Sequence, residues 1–394
     1  MTRTVGTTVR GIRTPIIKTG DNLVEMVVNS LKRSWENEGY QLKDRDIVGI
    51  TESLVARAQG NYVTIDDIAQ DIKSKFPGEV GVVFPILSRN RFSRILKGIA
   101  KGADKVYLLL SYPSDEVGNH LMDINKMDDL GINPHTDVLT EADYRRLFGD
   151  VKHEFTGVDY IQLYKDLSQD NNIEIILAND PRVILNYTKN VLVADVHTRE
   201  RTKRLLKKAG AQIVLGLEDI CTEPINDSGY NPVYGLLGSN TATEDTLKLF
   251  PRDGQKYVEA IQARLKELTG KNIEVMIYGD GAFKDPQGKI WELADPVVSP
   301  AYTKGLEGLP NEIKLKYIAD NEFRDLDGEE ISEAMKKCIS EKDENLVGDL
   351  ASQGTTPRKL TDLLGSLCDL TSGSGDKGTP IVLIQGYFDN YATE

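Results

Sequence analysis

The chain has 394 residues, with 48 Lys plus Arg against 61 Asp plus Glu and a formal net charge of −13. At roughly 150 residues per domain this length allows two or three domains, and the acidic balance argues against a nucleic-acid or anionic-membrane partner unless a basic patch is set apart. Cys221, Cys338 and Cys368 are too dispersed for a disulfide framework or a thiol-rich zinc site; with no apolar signal core and no window near the ~18 apolar residues of a membrane span, a cytoplasmic protein is expected.

In chain order, apolar strand-like runs alternate with amphipathic stretches, the pattern of a mixed α/β (α+β) protein. The first clear strand is 46-DIVGIT-51, followed by 80-VGVVFPIL-87, 105-KVYLLL-110, 173-IEIILA-178, 190-NVLVAD-195 and 212-QIVLGL-217. Strand, helix and strand recur at βαβ spacing within 61–234, as in the run 191–217. This predicts an inserted Rossmann-like α/β domain, 61–234, inside a discontinuous domain of residues 1–60 and 235–394. The spacing of Val258, Ile261, Leu265 and Leu268 predicts a helix over 256–270 that stops at Gly270, and 273-IEVMIY-278 is the next strand. The acidic stretch 321–350 reads as surface helices. Leu360, Leu363, Leu364 and Leu367 mark a helix over 357–370, and 380-PIVLIQ-385 closes the series.

Two stretches carry chemistry. In 371-TSGSGDKGTPIVLIQG-386, Gly373, Gly375 and Gly378 match GxGxxG, but a dinucleotide fingerprint needs a strand before it and a helix after it. Here the order is reversed. A P-loop also fails, because Lys377 precedes Gly378 and Thr379 and no helix follows. Two readings stay open: an anion nest of free backbone N–H groups with a lysine, or a connector. In 273-IEVMIYGDGAFKDPQGKIWELADP-296, a strand runs out into Gly279-Asp280-Gly281, with Lys284, Asp285, Glu292 and Asp295 downstream. Flanking glycines let a ligand approach Asp280, and carboxylates without thiols suit Mg²⁺ or Mn²⁺; an Asp-capped turn is the plainer alternative. Within 61–234, Asp195 and His197 follow a strand, and 85-PILSRNRFSR-94 gathers Arg89, Arg91 and Arg94, which suit a carboxylate or phosphate if they are not a solvated face.

Four segments, in order, resemble the coenzyme F-420-0:L-glutamate ligase (gamma-glutamyl ligase) family, whose members join glutamate to a phosphate-bearing cofactor using GTP. The stretch 11-GIRTPIIKTGDNLVEMV-27 is similar to the family's Gly-Leu-Pro-Leu-Ile and Gly-Asp-Asp-Leu opening, and 46-DIVGITESLVARAQG-60 to its Asp-Val-Leu-Val-Val-x-Ser-x-x-Val-Ser-Lys-Ala-Glu-Gly stretch. The runs 238-GSNTATEDTLKLFPRD-253 and 273-IEVMIYGDGAFKDP-286 resemble its Ala-Ser-Asn and Ile-Ile-Ser-Asp-Thr-Phe-Gly-Arg-Pro series. Finally, 361-TDLLGSLCDLTSGSGDKGTPIVLIQG-386 is similar to its closing helix, glycine loop and strand. The resemblance covers roughly residues 1–60 and 235–394.

The resemblance implies a GTP- or ATP-dependent ligase attaching L-glutamate, or a similar amine, to a small-molecule acceptor through an acyl phosphate. It implies that the nucleotide touches Ile12, Arg13, Thr14, Glu52, Ser53, Arg57, Asn240 and the loop Ser372, Gly373, Ser374, Gly375, Asp376, Lys377, Gly378. Asp280 takes the place of a metal-binding aspartate, with Arg57 and Lys377 as phosphate-holding cations, and a homodimer is implied as well. Three positions depart from the pattern: Leu237 stands for an aspartate, Ser374 for an acidic or amide residue and Gly281 for a threonine. Glu52, Glu244, Asp245, Asp285 or Asp295 is then expected to complete the Mg²⁺ or Mn²⁺ site, Glu52 and Asp295 being chosen here. The rival readings are a nucleotide- or phosphometabolite-binding protein without turnover, and chemistry seated in 61–234 around Asp195, His197 and the arginines.

Overall fold

The computed structural model describes residues 4–154, 156–280, 295–355, 358–372 and 375–393. Its strands, in chain order, are β1 (Thr8–Ile12), β2 (Ile47–Thr51), β3 (Tyr62–Thr64), β4 (Glu79–Val83), β5 (Lys105–Leu110), β6 (Leu139–Thr140), β7 (Ile173–Leu177), β8 (Asn190–Val193), β9 (Ile213–Gly216), β10 (Asn240–Thr241), β11 (Thr246–Lys248), β12 (Glu274–Tyr278), β13 (Ala301–Tyr302) and β14 (Ile381–Gln385). They form a five-stranded sheet of order β1-β14-β2-β12-β13, a three-stranded sheet of order β10-β11-β3 and a six-stranded sheet of order β6-β7-β5-β4-β8-β9. The architecture is mixed α/β, as the alternation of runs predicts.

The five-stranded sheet is covered on both faces, which is why its strands read as unbroken apolar runs. Val48, Ile50, Val275, Ile277, Ile381 and Leu383 pack on one side with Val27, Val28 and Leu31 of the helix Leu23–Glu38 and Val258, Ile261 and Leu265 of the helix Gly254–Thr269. The intervening Ile47, Met276, Tyr278, Val382 and Ile384 turn to the other side, onto Leu364 and Cys368 of the helix Leu360–Ser372. This period of two is the geometry of a pleated strand. The closing helix extends to Ser372, two residues past the expected end. The acidic stretch forms helices Leu315–Asn321 and Gly328–Ser340 around a small cluster of Ile318, Met335 and Ile339.

In the six-stranded sheet β4, β5, β7, β8 and β9 are parallel and only β6 runs against its neighbour. The chain leaves β4 toward β5 and β7, then returns to β8 and β9 on the opposite flank. The topological switch point therefore lies between β4 and β8, where loops at the strand C-terminal ends form a crevice. The strand expected over 80–87 stops at Val83, because Phe84 takes a left-handed conformation (φ 56) and redirects the chain. Residues 84–91 become the switch-point loop. The loop is tied to the three-stranded sheet, in which β3 pairs with β11, by Thr241 N–H donating to the Asn90 carbonyl at 2.9 Å.

Gly49 sits in the centre of β2 beneath the closing helix. A Cβ there would run into Cys368 Sγ and come within 3.2 Å of Tyr278 Cδ1, and both neighbours are fully buried. Overpacking of this kind costs about 1–3 kcal/mol. The expected outcome for Gly49→Ala is a loss in that range in urea unfolding; an unchanged midpoint would show that the strand and helix are not in this contact.

Candidate active site

Strand register places four chain segments on one edge of the five-stranded sheet. Ile12, the last residue of β1, pairs with Ile381, the first of β14, and Ile381 pairs in turn with Ile50 of β2. Thr51, ending β2, pairs with Tyr278, ending β12. Whatever follows β1, β2 and β12 and precedes β14 must therefore meet at this edge. Backbone bonds draw the segments together: Thr14 N–H donates to the Gly378 carbonyl at 3.4 Å, and Thr51 N–H to the Pro380 carbonyl at 3.0 Å. Arg13 and Thr14, then Glu52 and Ser53 at the start of the helix Glu52–Gln59, then Asp280, then Gly375 to Gly378 thus converge from distant parts of the chain. Beside them a cavity of about 860 Å³ is lined by Arg10, Ile12, Arg13, Thr14 and Arg33 among others.

At the end of β12 lies a buried charge cluster. Arg91, from the switch-point loop, sends Nη2 to Asp280 Oδ2 at 2.6 Å and Nη1 to Asp295 Oδ1 at 2.8 Å. Asp295 spends its other oxygen on the Asp280 backbone N–H at 2.7 Å. Its side chain is 1% exposed and that of Arg91 11%. Gly279 is required by this closeness, since a Cβ would collide with the Asp295 carboxylate. Lys248 Nζ bonds Ser53 Oγ and lies 3.6 Å from Glu52 Oε1.

These groups shift one another's proton affinities. Burial pushes the Glu52 carboxyl up and the Asp295 charge adds to the rise, with Lys248 and Arg91 opposing. Asp280 is pushed up to about 8, first by burial and then by Asp295, against Arg91. Burial alone would lower Arg91, but Asp295 and Asp280 outweigh it and hold the guanidinium more firmly charged. Three carboxylates share two cations, and the excess negative charge raises the proton affinity of Glu52 and Asp280.

The cluster brings together Asp280, Asp295 and Glu52, the carboxylates expected to hold a metal. They are hard oxygen donors of the right kind, yet a guanidinium already lies between two of them. Leu237 is 1% exposed and apolar where the resemblance places a further acidic ligand. Among the described residues, no group of three His, Cys, Asp or Glu side chains is arranged to hold a metal ion. Asp245 is instead exposed and paired with Lys97 at 2.8 Å, and Glu244 is exposed. These residues do not fit a resident divalent ion; Gly281 and Asp285 lie outside the described residues.

Arg57 is directed elsewhere, its Nε donating to the Ile17 carbonyl at 2.6 Å. Asn240 pairs across β10 and β11 with Lys248, which sets it one strand away from Glu52 and Ser53. Ser372 is buried at the end of its helix and accepts from Thr379 Oγ1 at 2.7 Å. Asp376 and Lys377 are exposed in the turn flanked by Gly375 (φ 113) and Gly378 (φ 64); Gly373 and Ser374 lie outside the described residues. Sequence reasoning missed Lys248, whose one signal is a lysine inside the apolar run 246-TLKLF-250. The strand-end pair in 61–234 is only partly satisfied, since Asp195 Oδ1 is buried without a hydrogen-bond partner among the described residues. Asp195 accepts from Thr198 and Thr202 hydroxyls at 2.6 and 2.8 Å, and Glu116 accepts the N–H groups of Val196, His197 and Thr198.

Fold and site define an α/β protein in which loops from two sheets close over a carboxylate cluster at a strand end. The chain belongs to the F420-0:gamma-glutamyl ligase family, whose model matches residues 11–386, a span that encloses 61–234. It is also similar to an uncharacterized protein of Methanocaldococcus jannaschii, MJ1361, at 31% identity over 111 residues. That match covers 28% of this chain and 34% of the relative. No described helix is long and apolar enough to cross a membrane.

A carboxyl whose pKa rises on folding binds its proton more tightly in the folded chain. Its stabilising contribution is greatest below about pH 4 and is lost as the pH climbs toward 8. Thermal melts at pH 6 and 8.5 are expected to show a steeper loss in the wild type than in Asp280→Asn, which cannot ionise. Equal slopes would contradict the proton held at Asp280.

Proposed function

We propose that the protein is a nucleotide-dependent acid–amino-acid ligase, joining L-glutamate or a similar amine to a carboxylate of a small-molecule acceptor. The observation that carries this reading is the meeting of the segments after β1, β2 and β12 with the loop before β14 at one sheet edge, beside an arginine-lined cavity. A ligase of this type needs a phosphate seat next to groups that manage charge and a proton.

In this reading Arg13, Lys377 and the backbone N–H groups of Gly375 to Gly378 hold the phosphates of GTP or ATP, and Mg²⁺ or Mn²⁺ enters bound to the nucleotide. An acceptor carboxylate oxygen attacks the γ-phosphorus and the nucleoside diphosphate leaves. The amine then attacks the acyl carbon, phosphate departs, and the proton lost by the amine passes to a carboxylate of the cluster. A group whose pKa lies near the working pH suits that step, which favours Asp280 in its ionised form, paired with Arg91. The 61–234 unit, reaching the cluster through Arg91, sets the acceptor, and the active species is a homodimer.

Calorimetric titration of GTP and ATP with Mg²⁺ or Mn²⁺ is expected to show metal-nucleotide binding. Losing one charge-assisted phosphate contact is worth about 1.5–3 kcal/mol, so Lys377→Ala should weaken binding by roughly 10- to 150-fold. Phosphate release should then depend on both glutamate and an acceptor. No binding of either nucleotide with either metal would overturn the reading.

A further inference from the structure

We propose that Arg91 is the resident cation of the Asp280–Asp295 carboxylate pair, its guanidinium holding by two ion pairs the place that a divalent ion would otherwise take. This inference does not rest on the ligase reading, because it concerns the charge balance of the free protein.

The first support is geometric. Both guanidinium nitrogens that reach the cluster make close ion pairs, at 2.6 Å to Asp280 and 2.8 Å to Asp295. Arginine's planar fork can span two carboxylates in this way, whereas a lysine is a point charge. With both Arg91 and Lys248 in place, the charges of Asp280, Asp295 and Glu52 are offset to within one unit. A divalent ion added between the same carboxylates would meet a buried positive neighbour.

The second support is that the loop delivering Arg91 is built rather than loose. Phe84 turns the chain out of β4 in a left-handed conformation. Ser88 Oγ then accepts the N–H groups of Asn90 and Arg91 at 3.3 and 3.0 Å, and Tyr164 Oη accepts from Ser88 N–H at 2.9 Å. From β10 of the three-stranded sheet, Thr241 N–H and Oγ1 both donate to the Asn90 carbonyl, at 2.9 and 2.5 Å. The loop is clamped from two sides immediately before the residue that enters the cluster. Arg91 is thus a positioning residue that ties the switch point of the six-stranded sheet to the end of β12.

The third support is the donor set. The buried Leu237 and the engagement of Asp295 with both Arg91 and the Asp280 N–H leave the described residues without a vacant three-carboxylate pocket.

The test is Mn²⁺ binding to the nucleotide-free 394-residue protein, followed by calorimetry and by the Mn²⁺ electron paramagnetic resonance signal. The wild type is expected to bind Mn²⁺ no better than its Asp295→Asn variant. Arg91→Ala is expected to bind one Mn²⁺ per chain at least tenfold more tightly than the wild type, to regain part of its lost thermal midpoint when Mn²⁺ is added, and to lose both gains in the Arg91→Ala, Asp295→Asn double variant. Arg91→Lys should fall between. A folded Arg91→Ala protein that gains no Mn²⁺ affinity would overturn the proposal. If Arg91→Ala does not fold, the wild type and Asp295→Asn decide alone: Mn²⁺ binding that Asp295→Asn removes overturns it, and equal, weak binding by the two supports it.

Discussion

The contact on which the site depends is a guanidinium set between the carboxylates of Asp280 and Asp295. Two buried acids this close repel, and at the low effective dielectric of a protein interior neither stays ionised cheaply without a countercharge. Arg91 supplies it from a different sheet. The pair of bonds therefore does two things at once: it permits an acidic strand end, and it locks the loop of one layer system onto the strand end of another. Such buried pairs add little net stability, but stripping away one partner strands the other charge, at about 3–5 kcal/mol. The arrangement constrains geometry more than it deepens the fold.

Around this contact the sheet edge does the gathering. Because β2 and β12 run parallel while β14 opposes β2, their chemically loaded ends coincide. Residues near 13, 52, 280 and 377 become neighbours through register alone, with no need for a contiguous motif. The Gly375–Gly378 turn before β14 then meets the opening segment through the Thr14–Gly378 backbone bond, and an arginine-lined cavity lies on the β1 side.

Much of the scaffold was legible in the sequence because burial on both faces leaves long apolar runs, as in Ile47 to Ile50 and Ile381 to Ile384. The switch-point loop was harder to read. The run 80–87 is apolar throughout, and its one local stop signal is Pro85, which has no N–H for the ladder and follows the left-handed Phe84. The carboxylates of the cluster were legible as residue types at a strand end, and Arg91 was visible within an arginine-rich run; what could not be read was that it crosses between sheets to meet them. A metal was the natural expectation for carboxylates seen without their partner. Lys248 carried no motif at all, since its role follows from β11 pairing with β3 and β10, a long-range fact with no local signature. Arg57, a cation at a family position, turns to the Ile17 carbonyl because its place near the end of an eight-residue helix faces that segment.

The most direct measurement is a crystal structure with a non-hydrolysable GTP analogue and Mn²⁺, the ion located by anomalous scattering. The account predicts the nucleotide phosphates beside Arg13 and the Gly375–Gly378 turn, with Mn²⁺ on those phosphates and Arg91 still bridging Asp280 and Asp295. Mn²⁺ seated between Asp280 and Asp295 with Arg91 displaced, or a nucleotide bound away from this sheet edge, would contradict it.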